Sequence, residues 1–126
     1  MASFSPQFLD AAAREREVEL TTYGRRTGNA HRTVLWVWGD GQRVFARSGA
    51  GLGRDWPRNL LARPEGVLHV GGHDVPVQAR HLDTAEARSV GPLINQKYGA
   101  FPEPPAPGSP PTAAEQATFE LTPSGE

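Results

Sequence analysis

The chain has 126 residues, enough for one domain, and its net charge of −1 at pH 7 does not by itself suggest a polyanionic partner. It has no cysteine, which excludes a disulfide framework, a thiolate metal site and a cysteine nucleophile. Its 14 glycines and 12 prolines favour short strands and turns over a helical bundle. The sequence contains neither a secretory signal pattern nor an apolar stretch long enough to span a membrane, so we expect a cytoplasmic protein.

The first half of the chain predicts a helix followed by a β-hairpin region. Ser5 as N-cap and Pro6 at the first helical position predict a helix over residues 6–13. Alternation predicts a strand over 18–22, and the glycines of residues 23–29 predict a turn. The stretch 32–38, RTVLWVW, is the clearest strand; both of its faces are largely apolar, so we expect it to be covered on both sides. Its return strand is predicted at about residues 42–47.

The middle of the chain predicts a helix and a second hairpin. A glycine-rich loop at 48–53 precedes a helix that Asp55 is expected to cap and that ends near residue 63. A tight hairpin about Gly71-Gly72 should place His69 opposite Asp74. Pro76 lacks an N–H group, so it should place the second strand at a sheet edge or a bulge.

The last third predicts a broken helix, a linker and one strand. The helix should start after Asp83 and run towards Lys97, with an interruption near residues 91–92. Residues 101–113 hold six prolines and predict an extended linker, and residues 117–121 predict a final strand. Together the predicted helices and strands indicate one mainly β domain with flanking helices (α+β) over residues 1–122, followed by a polar tail at 123–126. It should have about six mostly antiparallel strands in a barrel or sandwich.

Basic residues concentrate in the middle of the chain. Residues 25–63 contain eight arginines against two aspartates, and the chain has twelve arginines but one lysine, a preference suited to planar recognition of phosphate or carboxylate. Two glycine-bearing loops, at 24–29 and 48–53, lie near several of these arginines. Together with the N-terminus of the helix after Asp55 they predict a phosphate cradle. The alternative is two ordinary turns with solvated arginines.

Other chemistries receive less support from the sequence. His69 and His73 should fall on opposite faces of their hairpin, which argues against shared metal ligation. Ser48 lies in a glycine loop that does not match the nucleophile elbow of hydrolases. The tryptophans are interpreted as core residues or as walls for a planar ring; they are Trp36, Trp38 and Trp56.

Two segments resemble the deazaflavin-dependent nitroreductase-like family. The stretch LTTYGRRTGNAHRTVLWVW, residues 20–38, is similar to the family pattern T-T-x-G-R-K-S-G followed by R-T-x-P-L-W. The stretch DWPRNLLARPEGVLHVGG, residues 55–72, is similar to W-x-x-N-L-x-x-N-P followed by a strand and Gly-Gly. The resemblance covers about residues 17–122. The chain departs from the pattern at Asn29, His31 and Val34, where the family usually has Lys, Arg and Pro.

The resemblance implies a split β-barrel that acts as a homodimer with its cofactor near the subunit interface. It also implies hydride transfer between a reduced deazaflavin (coenzyme F-420), or alternatively FMN, and a small electrophile. Tyr98 is the candidate proton donor. The candidate cofactor-binding residues are Arg25, Arg26, Thr27, Gly28, His31, Arg32, Arg47, Ser48, Arg54 and Trp56.

Three alternatives remain open at this stage. A deazaflavin is favoured over FMN because its long acidic tail needs cations over a longer path than the single phosphate of FMN. A non-catalytic carrier or sensor of a flavin, haem or lipid-like ligand would suit the same fold. Nucleic-acid binding through the arginine-rich hairpin is less supported, because the overall charge is not basic.

Overall fold

The computed structural model describes residues 4–99 and 105–124, and within them the backbone forms five α-helices and seven strands. The helices are α1 (Pro6–Arg14), α2 (Asp55–Ala62), α3 (Thr84–Val90), α4 (Ile94–Tyr98) and α5 (Ala113–Gln116). The strands are β1 (Val18–Tyr23), β2 (Ala30–Leu35), β3 (Val37–Gly39), β4 (Val44–Arg47), β5 (Glu65–Val70), β6 (His73–His81) and β7 (Thr118–Pro123). Short 3₁₀ turns occur at Gly51–Gly53 and Gly91–Leu93.

All seven strands belong to one antiparallel sheet with the order β2-β1-β5-β6-β7-β4-β3. The prediction of six strands was wrong because residues 32–38 do not form one strand. The chain leaves the ladder at Trp36, so β2 and β3 are separate strands at opposite edges of the sheet.

This topology requires the sheet to curl. In a flat seven-stranded sheet the two edge strands would lie roughly 29 Å apart, at about 4.8 Å per strand. Leu35 and Val37 belong to those two edges, yet only two peptide links, about 7.6 Å of chain, join their Cα atoms. The sheet is therefore a half-barrel whose two edges approach each other at Trp36.

Two apolar clusters hold the half-barrel and its helices together. The main core packs α1 against the strands and includes Phe8, Leu20, Leu68 and Phe119. A smaller cluster packs Trp38 and other side chains of β3 and β4 against α3 and α4. The second cluster fixes α4 beside the place where the sheet edges meet.

Several local predictions are confirmed. Ser5 caps α1, since its Oγ accepts a hydrogen bond from the Phe8 N–H at 3.1 Å. The helix predicted after Asp83 is interrupted at Gly91 as expected. In the β5–β6 hairpin, His69 pairs with Asp74 and their side chains are 2.7 Å apart.

Other local predictions need correction. Asp55 is the first helical residue of α2, and the extended residue Arg54 is the N-cap, with no side-chain cap. α5 was not foreseen; it follows the part of the proline-rich segment that the structure describes, whereas residues 101–104 lie outside the described residues.

Pro76 does not lie on an edge strand, because β6 pairs with both β5 and β7. Its carbonyl accepts from the Ser124 N–H at 2.9 Å, so its nitrogen faces the β7 side. β7 ends at Pro123, and the missing donor therefore falls where the neighbouring strand stops.

Candidate cofactor-binding groove

Two neighbouring cavities open near the place where the sheet edges meet. The first, of about 570 Å³, is called the basic cavity and is lined by Thr22, Gly24, Arg25, Arg26, Thr27, His31, Arg32, Thr33, Arg54, Asp55, Trp56, Arg58 and Asn59. The second, of about 520 Å³, is called the aromatic cavity and is lined by Val34, Leu35, Trp36, Trp38, Arg47, Ser48, Gly49, Ala50, Arg54, Trp56, Ile94, Tyr98 and Ala114. Arg54 and Trp56 line both cavities, so the two form one groove.

Asn59 on α2 ties the first arginine loop to the sheet. The residue is 3% exposed, and its side-chain amide donates to Thr22 Oγ1 at 3.1 Å. Its Oδ1 accepts from Arg25 Nη1 at 2.9 Å, and a second, longer contact joins Arg25 Nη1 to the Asp55 carbonyl at 3.4 Å. The Arg25 guanidinium therefore anchors the loop to α2 through Asp55 and Asn59.

Three arginines of the basic cavity have side chains that are available to bind a ligand. Arg26, Arg54 and Arg58 make no side-chain hydrogen bond or ion pair with any residue that the structure describes, and all three are exposed. Arg32 also lines the cavity, but its Nε donates to Glu19 in an ion pair across β1 and β2. Because the free charges converge on one cavity from a loop and a helix, the cavity is suited to an anion.

Of the other residues predicted to bind the cofactor from the first loop, Thr27 and His31 line the basic cavity and Gly28 does not. Thr27 Oγ1 accepts from the Asn29 N–H at 3.1 Å, which leaves its hydroxyl proton to be donated. His31 lines the cavity beside Thr27. Gly28 is not among the lining residues; its φ of 74° allows the turn, and the Arg63 guanidinium lies against it.

Stacked aromatic rings form one wall of the aromatic cavity. The rings of Trp36 and Tyr98 lie 4.0 Å apart with an angle of 6° between their planes. Burial raises the pKa of the Tyr98 hydroxyl to about 12. That hydroxyl donates to the Arg16 carbonyl at 2.6 Å and lies 3.2 Å from the Val37 carbonyl. Proton donation by Tyr98 stays a prediction, and this geometry disfavours it, because the single hydroxyl proton already has backbone acceptors.

Arg47 and Ser48 occupy the inner side of the aromatic cavity. Arg47 donates from Nε to Thr118 Oγ1 at 2.7 Å and from Nη2 to the Ala87 carbonyl at 2.6 Å. Burial lowers the pKa of its guanidinium, although it remains charged. The Ser48 backbone is held by the Ala117 carbonyl and the Gly51 N–H. Arg47 therefore connects β4 to α3 and β7 as well as lining the cavity.

The two predicted loops do come together, but for a reason other than the one expected. The sequence suggested that the strands between them form one hairpin, whereas β2 and β4 do not pair. The curl of the sheet brings the loops to the same groove, and α2, which follows the second loop, packs against β1. Close packing fixes the second loop as well, since a Cβ at Gly51 would lie 2.9 Å from the Ala113 Cβ in α5.

Sequence reasoning missed several residues that line the groove. Arg58 lies in α2 four residues after the N-cap Arg54, and both line the basic cavity; that spacing is a signal the sequence contains. Thr22 and Thr33 line the groove from β1 and β2, and the alternation that predicts those strands does not indicate a groove. Ile94 and Ala114 come from distant segments and carry no local signal.

Among the described residues, no group of three or more His, Asp or Glu side chains is arranged to hold a metal ion. No helix in the same part of the chain is long and apolar enough to cross a membrane. No curated protein matches this chain in sequence.

The half-barrel is similar to solved structures of the split-barrel type. An F420 reductase superposes with a TM-score of 0.60 at 17% identity, with 94% of each chain covered. An F420-H2 dependent reductase gives a TM-score of 0.59 at 19% identity, over 86% of this chain and 95% of the other. A protein described as a domain-swapped dimer gives 0.59 at 19% identity, over 86% of this chain and 81% of the other. At these identities the similarity establishes the fold.

The family follows from the sequence itself. The model of the F420H(2)-dependent quinone reductase family matches residues 13–102 of the 126. The chain therefore belongs to this family, in agreement with the resemblance found in the motifs at residues 20–38 and 55–72. The matched region contains β1 to β6 and almost all residues that line the groove.

Proposed function

We propose that this protein binds reduced coenzyme F420 in the groove and transfers hydride from it to a small electrophilic organic substrate, such as a quinone. The observation that carries the proposal is the division of the groove into a basic and an aromatic cavity joined at Arg54 and Trp56. A deazaflavin has two corresponding parts: a planar ring system that suits the aromatic cavity and an anionic tail that suits the basic cavity. Membership of the F420H(2)-dependent family supports this choice over FMN.

The basic cavity would hold the anionic part of the cofactor. Arg26, Arg54 and Arg58 supply charges that have no partner among the described residues, and Thr27 supplies a hydroxyl donor. Charges spread over a loop, the N-cap of α2 and its first turn suit a ligand with more than one anionic group, because one phosphate would contact only some of them. Arg25 contributes by holding the loop in place through Asn59.

The aromatic cavity would hold the ring system. When bound there, the reduced deazaflavin supplies the hydride. Trp36 and Trp56 would orient the ring by packing against its faces or edges, and the Trp36–Tyr98 stack keeps one wall flat. With the ring bound, these side chains would cover part of it and limit the access of water to the reacting atoms, which would favour direct transfer over reaction with solvent.

We also propose that the protein is a homodimer. One structure of similar fold is described as a domain-swapped dimer, and an open groove at the sheet edge is suited to completion by a second copy. Val34 and Trp36, both exposed, lie beside that groove.

A carrier that binds the cofactor without turnover is the second candidate. It is favoured by the backbone contacts of Tyr98, since the described part of the aromatic cavity then offers no free acid to protonate a reduced product. Hydride transfer itself needs no such acid, and a reduced quinone can take its proton from water.

Oxidation of reduced F420 distinguishes these candidates. The purified protein is mixed with reduced F420 and a soluble quinone, and the return of the oxidised deazaflavin is followed by its absorbance. The enzyme proposal expects multiple turnovers that stop when the quinone is omitted. Tight binding without turnover across a panel of quinones and nitroaromatics would support the carrier, and absence of binding would contradict both.

A further inference from the structure

His31 belongs to an edge strand that is more open than its sequence predicts. The apolar stretch 32–38 led us to expect cover on both faces, yet Val34 is 55% exposed, and His31 and Arg32 are exposed as well. In the described sheet β2 pairs with β1, where His31 lies opposite Thr22. Both residues line the basic cavity, so the His31 ring is accessible to solvent and to a ligand in that cavity.

The first loop places a second polar group next to the His31 ring. A Cβ atom at Gly24 would lie 3.1 Å from Thr27 Oγ1 and 3.2 Å from His31 Nε2, so both atoms approach the same point beside Gly24. Backbone hydrogen bonds close this loop, from the Gly24 N–H to the Asn29 carbonyl at 2.9 Å and from the Gly28 N–H to the Gly24 carbonyl at 3.0 Å. The missing side chain at Gly24 therefore leaves space in which an imidazole and a hydroxyl can contact the same ligand.

The His31 ring differs from other histidines of the chain in having no hydrogen-bond partner among the described residues. His69 lies 2.7 Å from an Asp74 carboxylate oxygen, and His81 Nε2 lies 2.7 Å from the Gln116 carbonyl. Both ring nitrogens of His31 are therefore available, and either can donate to an anion when the ring is protonated.

The charged residues around His31 are almost all positive. Those that line the basic cavity with it are Arg25, Arg26, Arg32, Arg54 and Arg58, and Arg63 lies against Gly28 of the adjoining loop. The one carboxylate among the described lining residues, Asp55, lies 3.7 Å from Arg25, and no carboxylate of a described residue pairs with the His31 ring. A charged imidazole would therefore take its counter-charge from a bound anion.

Arg32 does not replace a permanent cation at position 31. Successive residues of a strand point to opposite faces, and Arg32 Nε donates to Glu19 in the ion pair across β1 and β2. The family usually has arginine at the position of His31, so this chain has a titratable side chain where a permanent cation is usual. A histidine commonly changes its charge between about pH 5 and pH 8, whereas an arginine stays charged.

We propose that His31 binds the anionic tail of F420 in its protonated form, beside Thr27, so that binding of the cofactor takes up one proton from solution. The protonated ring donates from Nε2 to an anionic oxygen, and the Thr27 hydroxyl donates to the same group. One titratable donor among permanent cations makes the affinity of the basic cavity depend on pH in the range where the arginines alone would not. This inference rests on the proposed function, because F420 is the anion that it names.

NMR of the histidine ring nitrogens in the ¹⁵N-labelled protein reads the charge of the imidazole directly. His31→Gln identifies the His31 signals, because they are absent from the spectrum of that variant. We expect saturation with F420 at about pH 7 to move the His31 signals to the pattern of a protonated ring, whereas those of His73, which does not line the basic cavity, should not change. His31 signals that keep the pattern of a neutral ring in the saturated protein would overturn the proposal.

The pH dependence of F420 binding in three variants tests the same point by affinity. In the unmodified protein Kd should rise about five- to tenfold between about pH 6 and pH 8, as one charge-assisted contact is lost. His31→Gln should bind weakly at both pH values, His31→Arg should bind tightly at both, and the control His73→Gln should keep the profile of the unmodified protein. Any proton exchanged by the cofactor ring itself is common to all four proteins, so the proposal concerns the difference between them. A profile in His31→Gln as steep as that of the unmodified protein would overturn it.

The same titrations separate this inference from the proposed function. F420 binding that is equally tight in the unmodified protein and in His31→Gln at both pH values would overturn the role of His31 and leave the proposed function standing. Absence of F420 binding at every pH would contradict the proposed function, and this inference with it.

Discussion

Replacing Arg26 with alanine should weaken F420 binding more than replacing Arg43 with alanine. Arg26 faces the basic cavity and has no partner among the described residues. Arg43 lies in the turn between β3 and β4, where its Nε contacts Asp40 at 2.8 Å. Both side chains are exposed arginines near turns, so the pair controls for the loss of one positive charge.

The expected loss comes from one charge-assisted contact. Such contacts contribute about 1.5–3 kcal/mol when well shielded, and the exposure of Arg26 favours the low end, about 1–2 kcal/mol. That corresponds to a rise in Kd of about 5- to 30-fold, measured by fluorescence titration at low salt. The difference from Arg43→Ala should shrink at high salt, because exposed charges are screened over about 8–10 Å near physiological ionic strength. Equal Kd values for the two variants at low salt would refute the assignment of the anion to the basic cavity.

Three further predictions concern other parts of the molecule. Tyr98→Phe should lower the melting temperature through the lost backbone contacts but leave kcat for quinone reduction within about twofold; a loss of a hundredfold or more would identify Tyr98 as the proton donor after all. Arg88 holds the pKa of the buried Glu115 carboxylate at about 2, so the ion pair stabilises the fold above pH 4.5 and the stabilisation is lost as pH falls towards 2. Glu115→Gln should remove up to about 3 kcal/mol at neutral pH and flatten acid denaturation over that window, and urea titrations with an unchanged pH profile would contradict this. Gly51→Ala should destabilise the fold by at least about 1–2 kcal/mol, since φ is 76° and the added Cβ meets α5, whereas Gly49→Ala in the same loop has open space; equal melting temperatures would show that the loop relaxes freely.

The sequence predicted elements whose signals are local. Caps, turns and alternation located α1, the hairpin at Gly71-Gly72 and the break at Gly91, because each depends on a few neighbouring residues. The break at Trp36 has no such signal. Five of the seven residues 32–38 are β-branched or aromatic, so propensity favours one strand, and only the closure of the sheet separates β2 from β3.

The sequence predicted most of the residues that line the candidate site, but it did not predict which of its arginines hold the fold together and which face the groove. Arg25 and Arg26 are neighbours with the same chemistry, yet Arg25 is engaged by Asn59 while Arg26 is free. Arg47 likewise connects β4 to Thr118, a residue 71 positions away in the chain. Which arginine anchors the fold and which faces the groove depends on long-range contacts that no local pattern encodes.

The dependence on long-range contacts also explains why the sequence did not identify other residues around the groove. Nothing in the neighbourhood of Asn59 indicates that it would be buried between Thr22 and Arg25. The position of α5 beside the glycine loop depends on the close approach of Ala113 to Gly51, two residues that are far apart in the chain. Such contacts follow from the curl of the sheet, and the curl follows from strand pairing.

An equilibrium titration with F420 and with FMN at low and high salt tests the central claim most directly. The claim is that one groove holds a planar ring in its aromatic cavity and an extended anionic tail in its basic cavity. It predicts that F420 binds more tightly than FMN at low salt and that this advantage narrows as salt screens the free arginines. FMN binding more tightly than F420 at both salt concentrations would contradict it.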